Sequence, residues 1–73
     1  MNPVVGQYFR GPDTRSALTA TYRCTRYLAR VGYHMLNIDD PTDEKDVSER
    51  AIGGTFNVIL PQDYARYGIK PTA

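Results

Sequence analysis

Two arginines near the N-terminus bracket a short turn and are the residues of this chain best suited to chemistry. Arg10 and Arg15 enclose Gly11, Pro12 and Asp13, between an apolar run and a segment with helical spacing. Guanidinium groups fork onto phosphates or carboxylates, and the N-terminus of a helix attracts negative charge. We therefore expect an anionic ligand at this strand-to-helix turn.

Two polar residues that follow the next apolar run complete the predicted ligand site. Ligands of open α/β sheets bind beyond the carboxyl ends of the strands, where the segments after neighbouring strands meet. Because proline follows the single glycine, the turn has few free N–H groups, and side chains must supply most of the binding. The predicted ligand-binding residues are Arg10, Gly11, Asp13, Arg15, Asn37 and Asp40.

Residue types that support catalysis or hold metals are sparse. His34 is the only histidine and Cys24 the only cysteine. The acidic run at residues 39–46 lacks the central glycine and the alternating oxygen ligands of a calcium-binding loop. We therefore predict no catalytic residue, no metal site and no cofactor, and we expect the Cys24 thiol to be buried and inert.

Arginines and tyrosines elsewhere in the chain are predicted to form an interaction surface. Three arginines recur at helical spacing, and two tyrosines lie near the C-terminus; tyrosine is favoured at interfaces. The arginine stripe suits phosphates, but a solvated helix face explains it better because the formal net charge is only +1. The residues of this surface are Arg23, Arg26, Arg30, Tyr64 and Tyr67.

Positive and negative charges are separated along the chain. Residues 1–38 carry five arginines and one aspartate, whereas residues 39–50 carry six acidic side chains, one lysine and one arginine. This distribution suits an anionic ligand at one end, or head-to-tail contact between copies of the chain. An ordinary solvated surface is the alternative.

The spacing of apolar residues predicts six elements in alternation. Residues 17–31 place their apolar side chains at offsets typical of one helix face, with Thr14 or Ser16 as the N-cap and Gly32 at the end. The predicted order is strand 4–9, helix 17–31, strand 33–38, helix 43–52, strand 55–60 and a helical turn 61–67 ended by Gly68.

This alternation predicts an α/β fold with a small three-stranded, largely parallel sheet, one long helix and one or two short helices. An α+β fold, in which residues 33–38 pair antiparallel with residues 55–60, fits the same pattern. A length of 73 residues allows one small domain, residues 1–73, with a flexible tail at residues 70–73.

A domain of this size buries a small core and needs further stabilisation. One cysteine excludes an intrachain disulfide, and no apolar segment approaches the roughly 20 residues that span a membrane. The N-terminus lacks the pattern of a secretory signal. We therefore predict a cytoplasmic homo-oligomer or a subunit bound to a protein partner, without membrane contact. A nucleotide is a possible ligand, and nucleic acid is a less favoured one.

Several short motifs resemble the nucleoside 2-deoxyribosyltransferase-like family. Residues 8–12 resemble its first strand and Gly-Pro turn, Gly32-Tyr33 and Asn37 its second strand, and residues 58–61 its third strand. The resemblance implies an α/β fold that handles nucleosides or nucleotides and a glutamate nucleophile beyond the third strand. No glutamate follows Pro61 in this chain, so that nucleophile position is empty.

The same turn also resembles the opening of a TIR domain. Residues 9–15 match its phenylalanine-arginine-glycine and aspartate-threonine-arginine pattern, with Leu18-Thr19 after it and Asp39-Asp40 beyond the second strand. This chain has about half the length of a TIR domain, and the glutamate that TIR enzymes use on NAD belongs to the other half. The resemblance implies the same broad α/β architecture and a nucleotide ligand.

Three functions are compatible with these features. The first is a small non-catalytic nucleotide-binding or interaction module that holds an anionic ligand at the turn. The second is a small accessory protein, viral or plasmid-borne, that acts through protein contacts. The third is an enzyme that cleaves an N-glycosidic bond with a residue supplied by another subunit.

Overall fold

The computed structural model describes residues 3–13 and 15–70, and strands predominate in this part of the chain. Within it, five strands form one sheet and two short 3₁₀ segments form the helical turns. The strands are β1 (Tyr8–Pro12), β2 (Thr19–Leu28), β3 (Gly32–Asn37), β4 (Glu44–Val47) and β5 (Asn57–Val58), and the 3₁₀ segments are Glu49–Ala51 and Pro61–Tyr67.

All neighbouring strands of the sheet are antiparallel. The order β4-β3-β2-β1-β5 means that β1 to β4 follow one another as hairpins, while β5 returns to the outer side of β1. The predicted three-stranded, largely parallel α/β fold is therefore wrong, because short hairpin loops replace the helical crossovers that parallel strands need. The alternative pairing of residues 33–38 with 55–60 is wrong as well, since β3 lies between β2 and β4.

The predicted long helix at residues 17–31 is instead the longest strand, β2. Ala20, Tyr22 and Cys24 alternate along it and face the core, as the two-residue period of a strand requires. A bulge between Cys24 and Arg26 then adds one residue, so that Tyr27 returns to the side of Cys24 after three positions. This irregularity gave the apolar residues a spacing that resembled one helix face.

Other predicted elements differ in type or extent. The predicted helix 43–52 is replaced by β4 and the first 3₁₀ segment, because this segment pairs with β3. The first strand begins at Tyr8, after a turn in which Gly6 has a φ of +93°, and the third predicted strand shrinks to β5. Thr14, a predicted N-cap, and residues 71–73 of the predicted tail lie outside the described residues.

Two predicted elements are confirmed. The strand predicted at residues 33–38 is β3, displaced by one residue. The helical turn predicted at residues 61–67 is the second 3₁₀ segment, with proline at its first position. Gly68 ends it in the left-handed conformation, with a φ of +73°, as expected for a helix-terminating glycine.

One face of the sheet, here called the core face, packs under the chain that connects β4 to β5. Its main cluster joins aromatic and sulfur-containing side chains, with Tyr22 and Phe56 in an edge-on contact at 5.4 Å between ring centroids. Gly11 lies directly beneath the Phe56 ring, where a Cβ atom would lie 2.4 Å from ring carbons. The buried members are Phe9, Tyr22, Cys24, Tyr33, Met35 and Phe56.

The opposite face, here called the open face, is covered only in part. Tyr8 and Arg10 alternate with the core-facing residues of β1 and therefore lie on this side. The second 3₁₀ segment packs here, because the Tyr64 ring meets the Tyr8 ring edge-on at 5.3 Å. Within residues 3–13 and 15–70, no helix is long and apolar enough to cross a membrane.

Candidate functional site

Two loops at one end of the sheet bring together part of the predicted ligand site. The β1–β2 and β3–β4 loops lie side by side there because β1 and β3 run in the same direction. Arg15 forms an ion pair with Asp40 and donates a hydrogen bond from Nη1 to Thr42 Oγ1 at 3.3 Å. Its backbone N–H is bound by Asp13 Oδ1 at 2.9 Å. The contacts with Asp40 and Thr42 connect the two loops, and the contact with Asp13 holds the backbone within the β1–β2 loop.

A buried carboxylate lies behind this ion pair. Asp43 is 6% exposed, and its Oδ2 accepts hydrogen bonds from Tyr22 Oη at 2.7 Å and from Asn37 Nδ2 at 3.1 Å. Lys45 Nζ lies 3.4 Å from Asp43 Oδ1 and donates a hydrogen bond to Tyr22 Oη at 2.9 Å. Every member of this network has a partner, as buried polar groups require.

The Asp40 carboxylate is held in its ionised form. The hydrogen bond from the Thr42 hydroxyl, followed by that from Arg15, lowers the pKa of Asp40 to about 2. The same contact raises the pKa of the Arg15 guanidinium. Both partners are therefore charged at all physiological pH values.

The inner network also has fixed protonation states. Burial raises the pKa of the Asp43 carboxyl, but hydrogen bonds from Tyr22 and Asn37 outweigh this effect and lower it overall. Burial lowers the pKa of Lys45, yet its contacts with Tyr22 and Asp43 raise it overall. For Tyr22, burial raises the pKa of the phenol. The network thus pairs an ammonium with a carboxylate around a neutral phenol.

Four of the six predicted ligand residues meet at this end of the sheet. In addition to the Asp40 contact, the Arg15 guanidinium has Asp13 Oδ1 at 3.7 Å and Asp43 Oδ2 at 3.9 Å. An anionic ligand bound to Arg15 would therefore compete with carboxylates that already surround it. The four residues that meet here are Asp13, Arg15, Asn37 and Asp40.

The other two predicted ligand residues lie away from this cluster. Gly11 faces the core under Phe56. Arg10 lies on the open face, where its Nη1 donates a hydrogen bond to Thr21 Oγ1 at 2.7 Å. Arg10 and Arg15 consequently do not form a common fork, because Arg10 binds Thr21 on the open face whereas Arg15 contacts the β3–β4 loop.

Most of the predicted interaction residues do come together, on the open face. The Arg10 guanidinium lies 4.6 Å from the centre of the Tyr67 ring, and the Arg23 guanidinium lies 5.9 Å from the centre of the Tyr8 ring. Both distances suit a cation–π contact. We call this surface the Arg–Tyr face; it comprises Tyr8, Arg10, Arg23, Arg26, Tyr64 and Tyr67.

The bulge in β2 places Arg26 on this face. Arg23 is opposite Leu36 and Arg26 is opposite His34, two residues that share one side of β3. In an unbroken strand, residues three positions apart would point to opposite sides. The extra residue in β2 therefore aligns two arginines that regular alternation would separate.

Charges on the open face are divided between its two halves. Among the described residues, no carboxylate oxygen lies within 4 Å of a cationic nitrogen of Arg10, Arg23 or Arg26. On the β4 side, His34 contacts Asp46 Oδ1 from Nδ1 at 2.7 Å and Glu44 Oε2 from Nε2 at 3.4 Å. The face thus has a cationic, aromatic half over β1 and β2 and an acidic half over β4.

The sequence patterns missed several residues of these two sites. The sequence patterns predict Tyr8 only as a strand residue, and Asp43 and Lys45 only as helix residues. The alternation of threonine and arginine with alanine, tyrosine and cysteine along β2 is a strand signal that could have found the Arg–Tyr face. Arg30, also predicted to belong to this surface, lies instead at the tip of the β2–β3 hairpin.

Compared with protein-family models, curated proteins and solved structures, the chain has no match. The resemblances to the deoxyribosyltransferase-like family and to the TIR opening therefore remain predictions. The α/β architecture that both imply differs from the antiparallel sheet observed. Within the described residues, no group of three histidine, cysteine or acidic side chains is arranged to hold a metal ion.

Proposed function

We propose that this protein is a small non-catalytic module that binds an anionic ligand carrying planar bases, a nucleotide or a short single-stranded nucleic acid. The ligand would lie on the Arg–Tyr face. This proposal keeps the class of ligand expected from the sequence and moves its site from the β1–β2 turn to the open face of the sheet.

The observation that carries the proposal is the interleaving of guanidinium groups and tyrosine rings on one sheet face. Arg10 and Arg23 lie over the rings of Tyr67 and Tyr8, and neither guanidinium is neutralised by a described carboxylate. The rings of Tyr8, Tyr64 and Tyr67 are all partly exposed. Aromatic rings stack with bases, and arginines track the phosphates of a single strand.

Local charge supports the proposal more strongly than net charge. The formal net charge of +1 argues against a nucleic-acid ligand only if the charges are mixed over the surface. Here Glu44 and Asp46 lie with His34 on the β4 side, and Asp13, Asp40 and Asp43 lie around Arg15. The half of the open face over β1 and β2 keeps its positive charge.

Fluorescence anisotropy with a labelled single-stranded hexanucleotide tests this proposal. We expect Arg23→Ala to weaken binding by about ten- to a hundredfold, because each hydrogen bond to a charged phosphate contributes about 1.5–3 kcal/mol. Three arginine–phosphate contacts would give a slope of about −2 in a plot of log affinity against log salt concentration. A mononucleotide should bind more weakly than the hexanucleotide, since it reaches fewer arginines.

Arg66→Ala is the matched control, because Arg66 is exposed and already lies 3.7 Å from Asp63. Like Arg23→Ala, this substitution removes one positive charge, but it removes it from the second 3₁₀ segment and leaves the tyrosine rings in place. If Arg66→Ala and Arg23→Ala weaken binding equally, the interaction is unspecific attraction and the Arg–Tyr face is not the site. Absence of binding at low salt by the folded protein would reject the proposal altogether.

A second candidate function is contact with another protein chain. Val58 and Leu60, in and next to the short edge strand β5, are 46% and 49% exposed, where a partner could cover them. Sedimentation equilibrium of the purified protein tests self-association. We expect Leu60→Ser to reduce the mass of any oligomer if this edge is the contact; a monomer at all concentrations would leave only a heterologous partner.

A further inference from the structure

We propose a second binding site, a groove at the tip of the β2–β3 hairpin that takes a small phosphate monoester of a planar aromatic group. The groove has a volume of about 440 Å³. It does not depend on the function proposed for the Arg–Tyr face, because Tyr27 and Arg26 point to opposite sides of β2. Its lining residues are Tyr27, Arg30, Val31, Ser48, Glu49 and Arg50.

The backbone holds the two walls of the groove close together. Gly32, at the start of β3, has a φ of +143°, and a Cβ atom there would lie 1.9 Å from the Val47 carbonyl oxygen and 2.8 Å from Ser48 Cα. Only glycine permits this approach, which brings the segment after β4 against the hairpin tip. On the other wall, the turn is closed by the hydrogen bond from Val31 N to the Leu28 carbonyl at 3.0 Å.

Two arginines that line the groove lack an ion-pair partner among the described residues. No described carboxylate oxygen lies within 4 Å of the cationic nitrogens of Arg30 or Arg50. The one acidic side chain of the lining, Glu49, interacts with the Tyr27 hydroxyl and raises the pKa of that phenol. The groove therefore carries an excess of positive charge.

Apolar surface lies beside these charges. Tyr27 is 42% exposed, and Val31 is 53% exposed. The Tyr27 ring contacts Tyr33 at 5.3 Å between centroids, so one side of the ring is fixed by the protein and another side is open. A flat ring of a ligand can pack against this open surface, because aromatic pairs favour offset or edge-on contacts.

The combination of these features selects the class of ligand. A carboxylate satisfies one guanidinium, whereas the terminal oxygens of a phosphate monoester can accept hydrogen bonds from two. The Ser48 hydroxyl adds a further donor at the same wall. A volume of about 440 Å³ falls within the range of small-molecule pockets and accommodates a single aromatic ring with its phosphate.

Phenyl phosphate is the probe, and its titration into ¹⁵N-labelled protein is followed by NMR. We expect saturable shifts of the amides of Val31, Ser48 and Arg50, and weaker binding of inorganic phosphate. Arg30→Gly and Arg50→Ala should each weaken phenyl phosphate binding about tenfold. Glycine is chosen at position 30 because Arg30 has a φ of +67°, which glycine adopts without strain.

Arg66→Ala is the control for the loss of one positive charge, and unchanged amide spectra report that each variant is folded. If Arg66→Ala weakens phenyl phosphate binding as much as Arg30→Gly and Arg50→Ala do, the effect is one of net charge and the proposal is overturned. If inorganic phosphate and phenyl phosphate bind with equal affinity, the aromatic ring of the ligand contributes nothing and the proposed ligand class is overturned. Shifts confined to Tyr8, Tyr64 and Tyr67 would assign the probe to the Arg–Tyr face and also overturn the proposal.

Discussion

The ion pair between Arg15 and Asp40 joins residues 25 positions apart, and it is the outermost of the contacts that connect the β1–β2 and β3–β4 loops. Behind it, Asp43 accepts hydrogen bonds from Tyr22 and Asn37. Because these loops connect strands and not helices, side-chain hydrogen bonds between the loops are found where the sequence predicted helix caps. At the residue scale, the stability of these loops therefore depends on ionised carboxylates.

This dependence predicts acid sensitivity. The pKa of Asp40 is about 2 in the folded protein, below the ordinary value of 3.8, so the unfolded chain binds more protons between these values. The contribution of Asp40 is fully present above pH 3.8 and is lost as the pH falls through about 2. We expect the urea midpoint to fall across this range.

Asp40→Asn should lower the urea midpoint at pH 7 and flatten its dependence on pH between 4 and 2. Asp39→Asn is the matched control, because Asp39 is exposed and only its backbone N–H is hydrogen-bonded, to Asn37 Oδ1. If Asp40→Asn keeps the full acid sensitivity of the native protein, the contribution of the Arg15–Asp40 pair is contradicted.

At the scale of elements, the contact between β1 and the Phe56 ring determines how closely the β4–β5 connection packs on the sheet. Gly11 has no side chain, and this lets the ring lie against the strand backbone. Phe56 is 3% exposed and is held on its other side by Tyr22. The ring therefore has little space to move.

Gly11→Ala should destabilise the protein by about 1–3 kcal/mol, because the new Cβ would lie 2.4 Å from ring carbons of Phe56. Urea unfolding monitored by circular dichroism measures this cost. Gly54→Ala is the control, since the nearest atom to its Cβ would be the Arg50 carbonyl oxygen at 3.5 Å. We expect this change to be neutral or stabilising by up to about 1 kcal/mol.

The clash can be tested separately from any general effect of alanine in β1. Phe56→Leu removes part of the ring, so Gly11→Ala should cost less in its presence than in the native background. A double-mutant cycle measures this coupling. Strict additivity of the two substitutions would show that Gly11 does not act through Phe56.

At the scale of the whole molecule, two irregular segments cover a single five-stranded sheet. The chain between β4 and β5 covers the core face, and the second 3₁₀ segment covers part of the open face. This arrangement leaves Cys24, in the middle of β2, fully buried, and burial raises the pKa of its thiol. The expectation of a buried Cys24 is confirmed.

Cys24 therefore reports on unfolding of the whole domain. We expect its reaction with an aromatic disulfide reagent to be at least about a thousandfold slower in the native protein than in urea, because reaction requires opening of the sheet. Gly11→Ala should accelerate labelling by about tenfold for each 1.4 kcal/mol of destabilisation. Fast labelling of the native protein, independent of stability, would contradict full burial.

Features that depend on local conformation could be predicted from the sequence alone. Proline at position 61 and Gly68 are sufficient to begin and end a helical turn, and residues 33–38 have the composition of a strand. Cys24 is buried as expected, although a strand and not the predicted helix face buries it. The sequence also groups Arg23, Tyr64 and Tyr67 on one surface, and the structure places them on the same face of the sheet, with the arginine on a strand and not on the predicted helix.

The conformation of β2, and with it the fold, depends on long-range strand pairing. The apolar residues of this segment fit both strand and helix spacing, so its conformation depends on which other segments can pair with it. Here β1 and β3 form hydrogen bonds along both edges of β2. The bulge at Thr25 that aligns Arg23 with Arg26 leaves no clear sign in the sequence. Long-range pairing of the strands also placed three aspartates around Arg15 and placed the Arg10 guanidinium over the Tyr67 ring. Side chains distant in sequence meet in this way only after the sheet has formed.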